Sequence, residues 1–506
     1  MANRIVPPEE PRLLTTGVAG LDEVLRGGLA ADRVYLVEGS PGSGKTTLAL
    51  QFLLAGVSRG EPCMLVSLSE TAPELHASAA SHGWSLEPIP ILEIAAAEER
   101  MHPEARYTMY HSSEVELGET IKKVLAAADR LQPVRLVFDS LSELRLLAEN
   151  TLRYRRQILA LKQHFANRGC AVLLIDDRGS DSHDMRLHSL VHGVITLQRE
   201  TTDFGPMRRR LQVTKMRGRT FSEGYHDFAI RRGGLQVFPR LVAAQHRAAP
   251  PAETVSSGLP ALDALLGGGL ARGTSTLMLG PAGTGKSTLA AQYALAAAKR
   301  GEHASLFVFD ESLNTLLQRM AGLGMDLQPM VDAGRITLRQ VDPAELSPGE
   351  FAAAVRQAVD PKGSSIVAID SLNGYLNAMP SERFLMLHLH ELLSYLGQRG
   401  VMTLMLMAQH GVIGTSTLTP VDASYLADNV ILLRYFEARG EVRQAISVIK
   451  KRTGNHERTV RELRINRGIE VGEPLREFEG VLSGAAQLVG PAASLRNDGD
   501  ARHTYR

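Results

Sequence analysis

The sequence predicts an α/β protein built as two tandem domains of one fold, each a mainly parallel sheet flanked by helices. Three observations carry this prediction. Residues 16–29 (TGVAGLDEVLRGGL) recur as residues 257–270 (SGLPALDALLGGGL), with Asp22 and Asp263 separated by 241 positions. A glycine-rich loop follows each copy at that same spacing, GSPGSGKT at 39–46 and GPAGTGKS at 280–287. Between these landmarks, short apolar runs alternate with helical stretches, the pattern of buried parallel strands covered by helices on both faces.

The elements of the first copy follow in order. Strand-like runs fall at 34–37, 63–68, 136–138 and 171–175. They are apolar throughout rather than alternating, as strands buried on both faces are. Two later runs, 194–198 and 211–214, are short and read as an antiparallel extension. Later landmarks repeat in the same order with drifting spacing. Asp139-Ser140 answers Asp370-Ser371, 231 positions on, and Lys215 answers Lys450, 235 positions on. Loop insertions in a duplicated domain produce that drift. The first domain is placed at 12–243 and the second at 254–483. The stretch QHRAAPPAE has the composition of a linker, taken as 244–253. Residues 484–506 lack periodicity and are read as a disordered tail.

Composition bounds the function. The 506 residues are 44% hydrophobic and 22% charged, enough for more than one core, which excludes a wholly disordered chain. Lys and Arg number 56 against 55 Asp and Glu, so no global basic excess points to nucleic acid or an anionic membrane. The two cysteines, Cys63 and Cys170, make neither a disulfide framework nor a zinc site. Both sit in apolar runs and read as buried free thiols of a cytoplasmic protein. The opening segment MANRIVPPEEPRLL lacks the apolar core of a signal peptide. The longest apolar run, 401–408, has the length of a strand, well short of the roughly 20 residues that span a bilayer.

Both glycine-rich loops fit the pattern G-x-x-x-x-G-K-[ST]. In the first, Ser40, Gly42, Ser43 and Gly44 lead into Lys45, Thr46 and Thr47; in the second, Gly283, Thr284 and Gly285 lead into Lys286, Ser287 and Thr288. Glycines let backbone N–H groups converge on phosphate oxygens, and the following helix points its positive end at the anion. The lysine neutralises the β- and γ-phosphates, and the Thr46 or Ser287 hydroxyl binds Mg²⁺. ATP and Mg²⁺ are therefore the expected ligands. Asp139 closes RLVFD and Asp370 closes SIVAID. A carboxylate ending an apolar strand is costly unless it holds a metal or a hydrogen bond, so both complete the expected metal sites. A hydrolase also needs a group to orient or deprotonate water. The second strand of each copy ends in candidates: Ser69-Glu70 in the first, Asp310-Glu311 in the second, with Asp310 also placed to touch the metal.

Together these residues resemble the KaiC family within the RecA-like P-loop ATPases. The resemblance spans roughly residues 12–483 and rests on the paired GLD segments, both phosphate loops and both Asp-Ser strand ends. Lys-Met-Arg-Gly at 215–218 and ILLRYFEARGE at 431–441 add to it. It implies a homohexamer of two stacked rings with ATP at subunit interfaces, an ATPase first ring and a second ring that phosphorylates and dephosphorylates itself. It implies that Glu70, Asp310 and Glu311 are catalytic, with Ser69 standing where the family carries a further glutamate. Lys215, Met216 and Arg217, and Lys450, Lys451, Arg452 and His456, would reach ATP of the neighbouring subunit. Phe221 stands where the family's first ring carries a histidine. The acceptor pair would fall on Ser424 and Tyr425, the tyrosine replacing a threonine. The implied partners are further copies of the chain and unidentified signalling proteins.

Two other readings stay open. A RecA-like DNA- or RNA-dependent ATPase draws on the basic run Arg208-Arg209-Arg210, continued by Lys215, Arg217 and Arg219. The near-zero net charge and the lack of a zinc-ribbon cysteine set argue against it. An ATP-gated scaffold with little turnover draws on Ser69.

Overall fold

The computed structural model describes residues 11–94, 112–148, 150–178, 187–201, 205–243, 253–377, 382–409, 424–483 and 486–489. The chain divides into two compact units, Met1–Arg240 and Leu241–Arg506. Most of the stretch read as a linker, 244–252, lies outside the described residues.

In the first unit a small ribbon, β1 (Leu13–Leu14) and β2 (Leu29–Ala30), precedes the main sheet. That sheet contains β3 (Val34–Gly39), β4 (Cys63–Ser67), β5 (Ile91–Glu93), β6 (Arg135–Asp139), β7 (Ala171–Asp177), β8 (Gly193–Glu200), β9 (Arg208–Met216), β10 (Tyr225–Arg231) and β11 (Gly234–Phe238). The spatial order is β5-β4-β6-β7-β3-β8-β9-β10-β11. Strands β5 to β8 in that order are parallel, and β9, β10 and β11 add antiparallel. The 194–198 run, expected in the antiparallel extension, is thus the last parallel strand. It pairs with β3 on one side and turns back into β9 on the other.

The second unit repeats the plan. After β12 (Thr254–Val255) and β13 (Leu270–Ala271) come β14 (Ser275–Gly280), β15 (His303–Val308), β16 (Ile336–Gln340), β17 (Ser364–Asp370), β18 (Met402–Ala408), β19 (Asn429–Ala438), β20 (Glu441–Lys451), β21 (Arg461–Asn466) and β22 (Gly468–Pro474). Their order, β16-β15-β17-β18-β14-β19-β20-β21-β22, matches the first sheet strand for strand. Both units therefore have the expected class: a mainly parallel sheet between helices.

Each sheet carries a core on both faces, because successive residues of a strand point to opposite sides. Tyr35 and Val37 of β3 pack with Leu48, Phe52 and Leu53 of the helix Lys45–Val57. Val34 and Leu36 pack on the other face with Ile158 and Leu161 of the helix Thr151–His164. Local signals start the helices where the sheet needs them. Thr71 and Glu74 form a capping box on Ala72–Ser81, and Ser312 Oγ accepts from Thr315 N at 3.2 Å to cap Leu313–Gly322. Cys63 and Cys170 are buried free thiols.

Arg135, at the start of β6, is fully buried. Its guanidinium meets Glu61 Oε2 at 2.7 Å, donates to the carbonyls of Thr15 and Phe52 at 2.7 Å each, and lies over the Phe52 ring at 4.7 Å. The charge is tolerated because a carboxylate and two carbonyls replace its water. At the other end of the chain, β23 (Phe478–Glu479) pairs with β24 (Gln487–Leu488), inside the stretch read as a disordered tail. Val481 and Ala486 pack there with Phe436, an apolar contact that periodicity does not reveal. Residues 490–506 lie outside the described residues.

Candidate functional site

Both phosphate loops stand where the sequence predicts, between β3 and the helix Lys45–Val57 and between β14 and the helix Lys286–Lys299. Gly44 and Gly285 cap these helices in the left-handed region, with φ of 102° and 95°. A side chain at either would strike Ile230 or Ile465, so glycine is required twice over. Ser43 and Thr284, within the loops, are buried. The lysines arch back over their own loops. Lys45 Nζ donates to Gly39 O at 3.0 Å and Ser40 O at 3.1 Å; Lys286 Nζ donates to Gly280 O at 2.8 Å and Pro281 O at 2.7 Å. Burial pushes the Lys286 ammonium down to about 8, against the opposing pull of Asp370.

The hydroxyl and the strand-end aspartate of each unit meet. Thr46 Oγ1 donates to Asp139 Oδ2 at 2.8 Å, and Ser287 hydrogen-bonds Asp370. Burial pushes both carboxyls up to about 6, although the hydroxyl hydrogen bonds act the other way. A buried carboxylate of this kind gains from a cation. The pair fits Mg²⁺, which takes one or two protein oxygens and completes its shell with phosphate and water. Among the described residues no group of three or more His, Cys, Asp or Glu is arranged to hold a metal alone. The peptide after each aspartate, Asp139–Ser140 and Asp370–Ser371, is cis.

The predicted water-activating carboxylates gather at the same strand ends. Glu70 acts on Asp139 through space, and its own carboxyl is pushed up by desolvation and then by Glu74. Ser69 beside it is exposed. In the second unit Asp310 hydrogen-bonds Ser371, while Glu311 Oε1 pairs with Arg319 at 2.5 Å. Arg319 also reaches Thr288 Oγ1 at 3.4 Å, tying Glu311 to the loop helix. The sequence reading missed Arg319, which lies one helix beyond the motif. It also missed Asp177, whose Oδ1 lies 2.7 Å from Lys45 Nζ. The first site thus collects Glu70, Asp139 and Asp177, and the second Asp310, Glu311 and Asp370, by interactions each strand-end aspartate feels.

The predicted interfacial cations lie elsewhere. In the β8–β9 ladder Lys215 faces Val194, which is level with Leu36, whereas the phosphate loop leaves from Gly39. Lys450 likewise faces Val430, level with Leu277 and below Gly280. Both sets sit toward the edge of the sheet opposite their own loop. Lys215 holds the carbonyls of His188 and Val191, and Arg217 that of Ser189 at 2.9 Å. Lys450 holds the carbonyls of Ser424 at 3.0 Å and Ala427 at 2.7 Å, and Arg452 that of Tyr425 at 3.0 Å. Lys451 donates to Leu266 O at 2.5 Å and Gly269 O at 3.1 Å. Met216 packs on the first core, and His456 is half-buried in the loop after β20. Tyr425 is exposed.

The basic run behind the nucleic-acid reading has a local setting. Arg208 and Arg210 line a pocket of 450 Å³ with Ser40, Arg178 and Arg199, at the mouth of the first phosphate loop. Arg210 lies 3.6 Å from Glu200 and 3.8 Å from Asp227.

A family model described as "ATPase: KaiC" matches residues 14–242 and again 255–476. The chain belongs to the KaiC ATPase family. Curated relatives cover it nearly end to end. The "Circadian clock oscillator protein KaiC" of Thermostichus vulcanus is 26% identical over 481 residues, 94% of this chain and 92% of the relative. That of Synechococcus elongatus is 26% identical over 478 residues, 93% of this chain and 91% of the relative. The "Circadian clock protein KaiC3" of Synechocystis is 25% identical over 487 residues, 93% of this chain and 94% of the relative. The KaiC match falls twice, once on each unit. No helix among the described residues is long and apolar enough to cross a membrane.

One further network went unread in the sequence. Glu38 of β3 is buried and meets His188 Nε2 at 2.8 Å and Thr196 Oγ1 at 2.9 Å, while Asp176 pairs with Arg145. The second unit places Leu279 and Met407 at the positions of Glu38 and Asp176. The signal was a charge inside an apolar run, YLVEG and VLLIDD.

Proposed function

We propose that this chain is an ATP hydrolase with one Mg²⁺–ATP site per unit, assembled as a homohexameric double ring and phosphorylating itself on Ser424. The observation that carries the first part is the hydroxyl–carboxylate pair beside the loop lysine, Thr46 with Asp139 and Ser287 with Asp370. Mg²⁺ held by that pair would neutralise charge on the transferring phosphoryl group. Lys45 and Lys286 take up the charge of the β- and γ-phosphates. Glu70 and Glu311 accept a proton from the attacking water as its oxygen bonds to the γ-phosphorus and the bond to the β–γ bridging oxygen breaks, releasing ADP. Replacing Lys45 and Lys286 by Ala one at a time and measuring turnover tests this. If neither change lowers hydrolysis, the enzyme reading is lost and the scaffold reading takes its place.

Assembly follows from the cations. Lys215 and Lys450, with Arg217 and Arg452 beside them, lie below the level of their own loops, which supports reading them, together with His456, as groups for a neighbour's ATP, as arginine fingers are. ATP that bridges two subunits stabilises the ring by mass action. Mass photometry with and without ATP–Mg²⁺ checks it; monomers at micromolar protein in saturating ATP contradict the ring.

The self-kinase reading is favoured by one contact set. Lys450 and Arg452 hold the carbonyls of Ser424 and Tyr425, so the acceptor segment lies beside the cations assigned to the neighbour's ATP. Ser424 Oγ then replaces water as the nucleophile, with its proton passing to a carboxylate. Tyr425 carries its hydroxyl farther from the backbone, which favours Ser424. Mass spectrometry after incubation with ATP–Mg²⁺, on the unmodified chain and on Ser424→Ala, reports the acceptor. Such a phosphorylation fits a regulatory role in the cytoplasm through protein partners. Binding to single-stranded DNA with a steep salt dependence would favour the nucleic-acid reading instead.

A further inference from the structure

We propose that Asp177 competes with nucleotide for Lys45, so that the first site binds ATP more weakly than it would without that carboxylate. The inference rests on reading both loops as ATP sites.

Lys45 Nζ has three partners: Asp177 Oδ1 at 2.7 Å, Gly39 O at 3.0 Å and Ser40 O at 3.1 Å. An ammonium has three hydrogens. A phosphate oxygen that binds Lys45 must therefore displace one of these acceptors. The two carbonyls belong to the loop itself, whereas the carboxylate comes from another strand and carries a full charge. Its place is set by the ladder. β3 and β7 run parallel with Gly39 opposite Asp177, so the last residue of β7 stands at the loop's mouth. Lys45 is 9% exposed and Asp177 46% exposed. The lysine thus stays in place while the carboxylate is free to turn into water. Asp177 also acts on Asp139, so its charge is felt by the metal-binding carboxyl as well. Until it leaves, it repels the polyphosphate.

The second unit holds the control. In the same register Gly280 faces Ala408, and a methyl group stands where the first unit has a carboxylate. Lys286 donates to Gly280 O and Pro281 O. The Ala408 backbone is held by Asn373 on both sides, its N–H donating to Oδ1 at 2.7 Å and its carbonyl accepting from Nδ2 at 3.2 Å. A change of side chain at 408 therefore leaves the strand end anchored.

The test uses the full chain with one loop silenced at a time, titrated with a fluorescent ATP analogue and Mg²⁺. Lys286→Ala isolates the first site and Lys45→Ala the second. Adding Asp177→Ala to the first background should tighten binding by at least about tenfold, about 1.4 kcal/mol. Adding Ala408→Asp to the second should weaken it by a similar factor. A merely structural Asp177 would give the opposite sign, since its loss would loosen the site. Unchanged or weaker binding in Asp177→Ala overturns the inference, as does unchanged binding in Ala408→Asp. If the chain silenced at both lysines still binds like the unmodified protein, the ATP reading falls and this inference with it. If silencing abolishes binding while Asp177→Ala changes nothing, this inference alone falls.

Discussion

Thr46 Oγ1 donates to Asp139 Oδ2 at 2.8 Å across 93 positions of sequence. This bond joins the first turn of the loop helix to the end of β6, two strands away from β3 in the sheet. The same two groups define where Mg²⁺ would sit, so they set its affinity. Thr46→Ala, read in a Lys286→Ala background, should raise the Mg²⁺ concentration for half-maximal turnover by about 10- to 100-fold. Chelation with EDTA should stop turnover at both sites. Unaltered Mg²⁺ dependence in Thr46→Ala would contradict the assignment.

The raised carboxyls make stability depend on pH. Burial lifts Asp139 from 3.8 to about 6. The folded unit therefore holds this proton more tightly than the unfolded chain does. The resulting stabilisation is complete below pH 3.8 and is lost as pH rises through about 6. Asn mimics the neutral acid at every pH and still accepts from Thr46. Asp139→Asn should thus stabilise the first unit at pH 7.5 without Mg²⁺, by up to about 3 kcal/mol. The gain should shrink as pH falls toward 4. Thermal unfolding in EDTA across that range checks it; a gain independent of pH would be inconsistent.

The carboxylates at the ends of β4 and β15 should differ in weight from the residues that orient them. Glu311→Gln in a Lys45→Ala background should lower second-site turnover by about 10²- to 10⁴-fold, and Glu70→Gln should do the same to the first site. Arg319→Ala should cost less, roughly tenfold, because Arg319 orients Glu311 and moves no proton. Ser69→Asp should raise first-site turnover. Single-turnover kinetics separates these effects on chemistry from effects on product release.

Arg135 and Glu61 are predicted to matter for folding alone. Glu61→Ala leaves a fully buried guanidinium without its carboxylate and should destabilise the first unit by about 3–5 kcal/mol. Arg135→Met, which removes the charge and keeps an unbranched apolar stem, should cost less. Urea unfolding followed on each variant decides the order.

Much of this molecule was legible beforehand because its signals are local. A phosphate loop is eight consecutive residues, and its helix begins where Gly44 permits the turn. Strands buried on both faces announce themselves as apolar runs, and a duplicated domain doubles every such signal. Asp139 and Asp370 were readable for the same reason: each is a charge closing an apolar strand. The 194–198 run was misassigned because parallel and antiparallel edges carry the same residues, and only pairing distinguishes them.

What lay beyond the sequence was which residues face one another across strands. Asp177 and Ala408 look unrelated until the ladders place both opposite the last residue before a phosphate loop, Gly39 and Gly280. Arg319 meets Glu311 from the capped helix Leu313–Gly322, and the same side chain reaches Thr288 of the loop helix. Lys215 and Lys450 carry their charge away from their own loops because β9 and β20 run antiparallel to the strands beside them. The motifs and their order along the chain made the family resemblance, the fold class and the two glycine-rich loops legible. Register between strands, which depends on non-local hydrogen bonding and packing, decided what surrounds each lysine and so how the two sites differ.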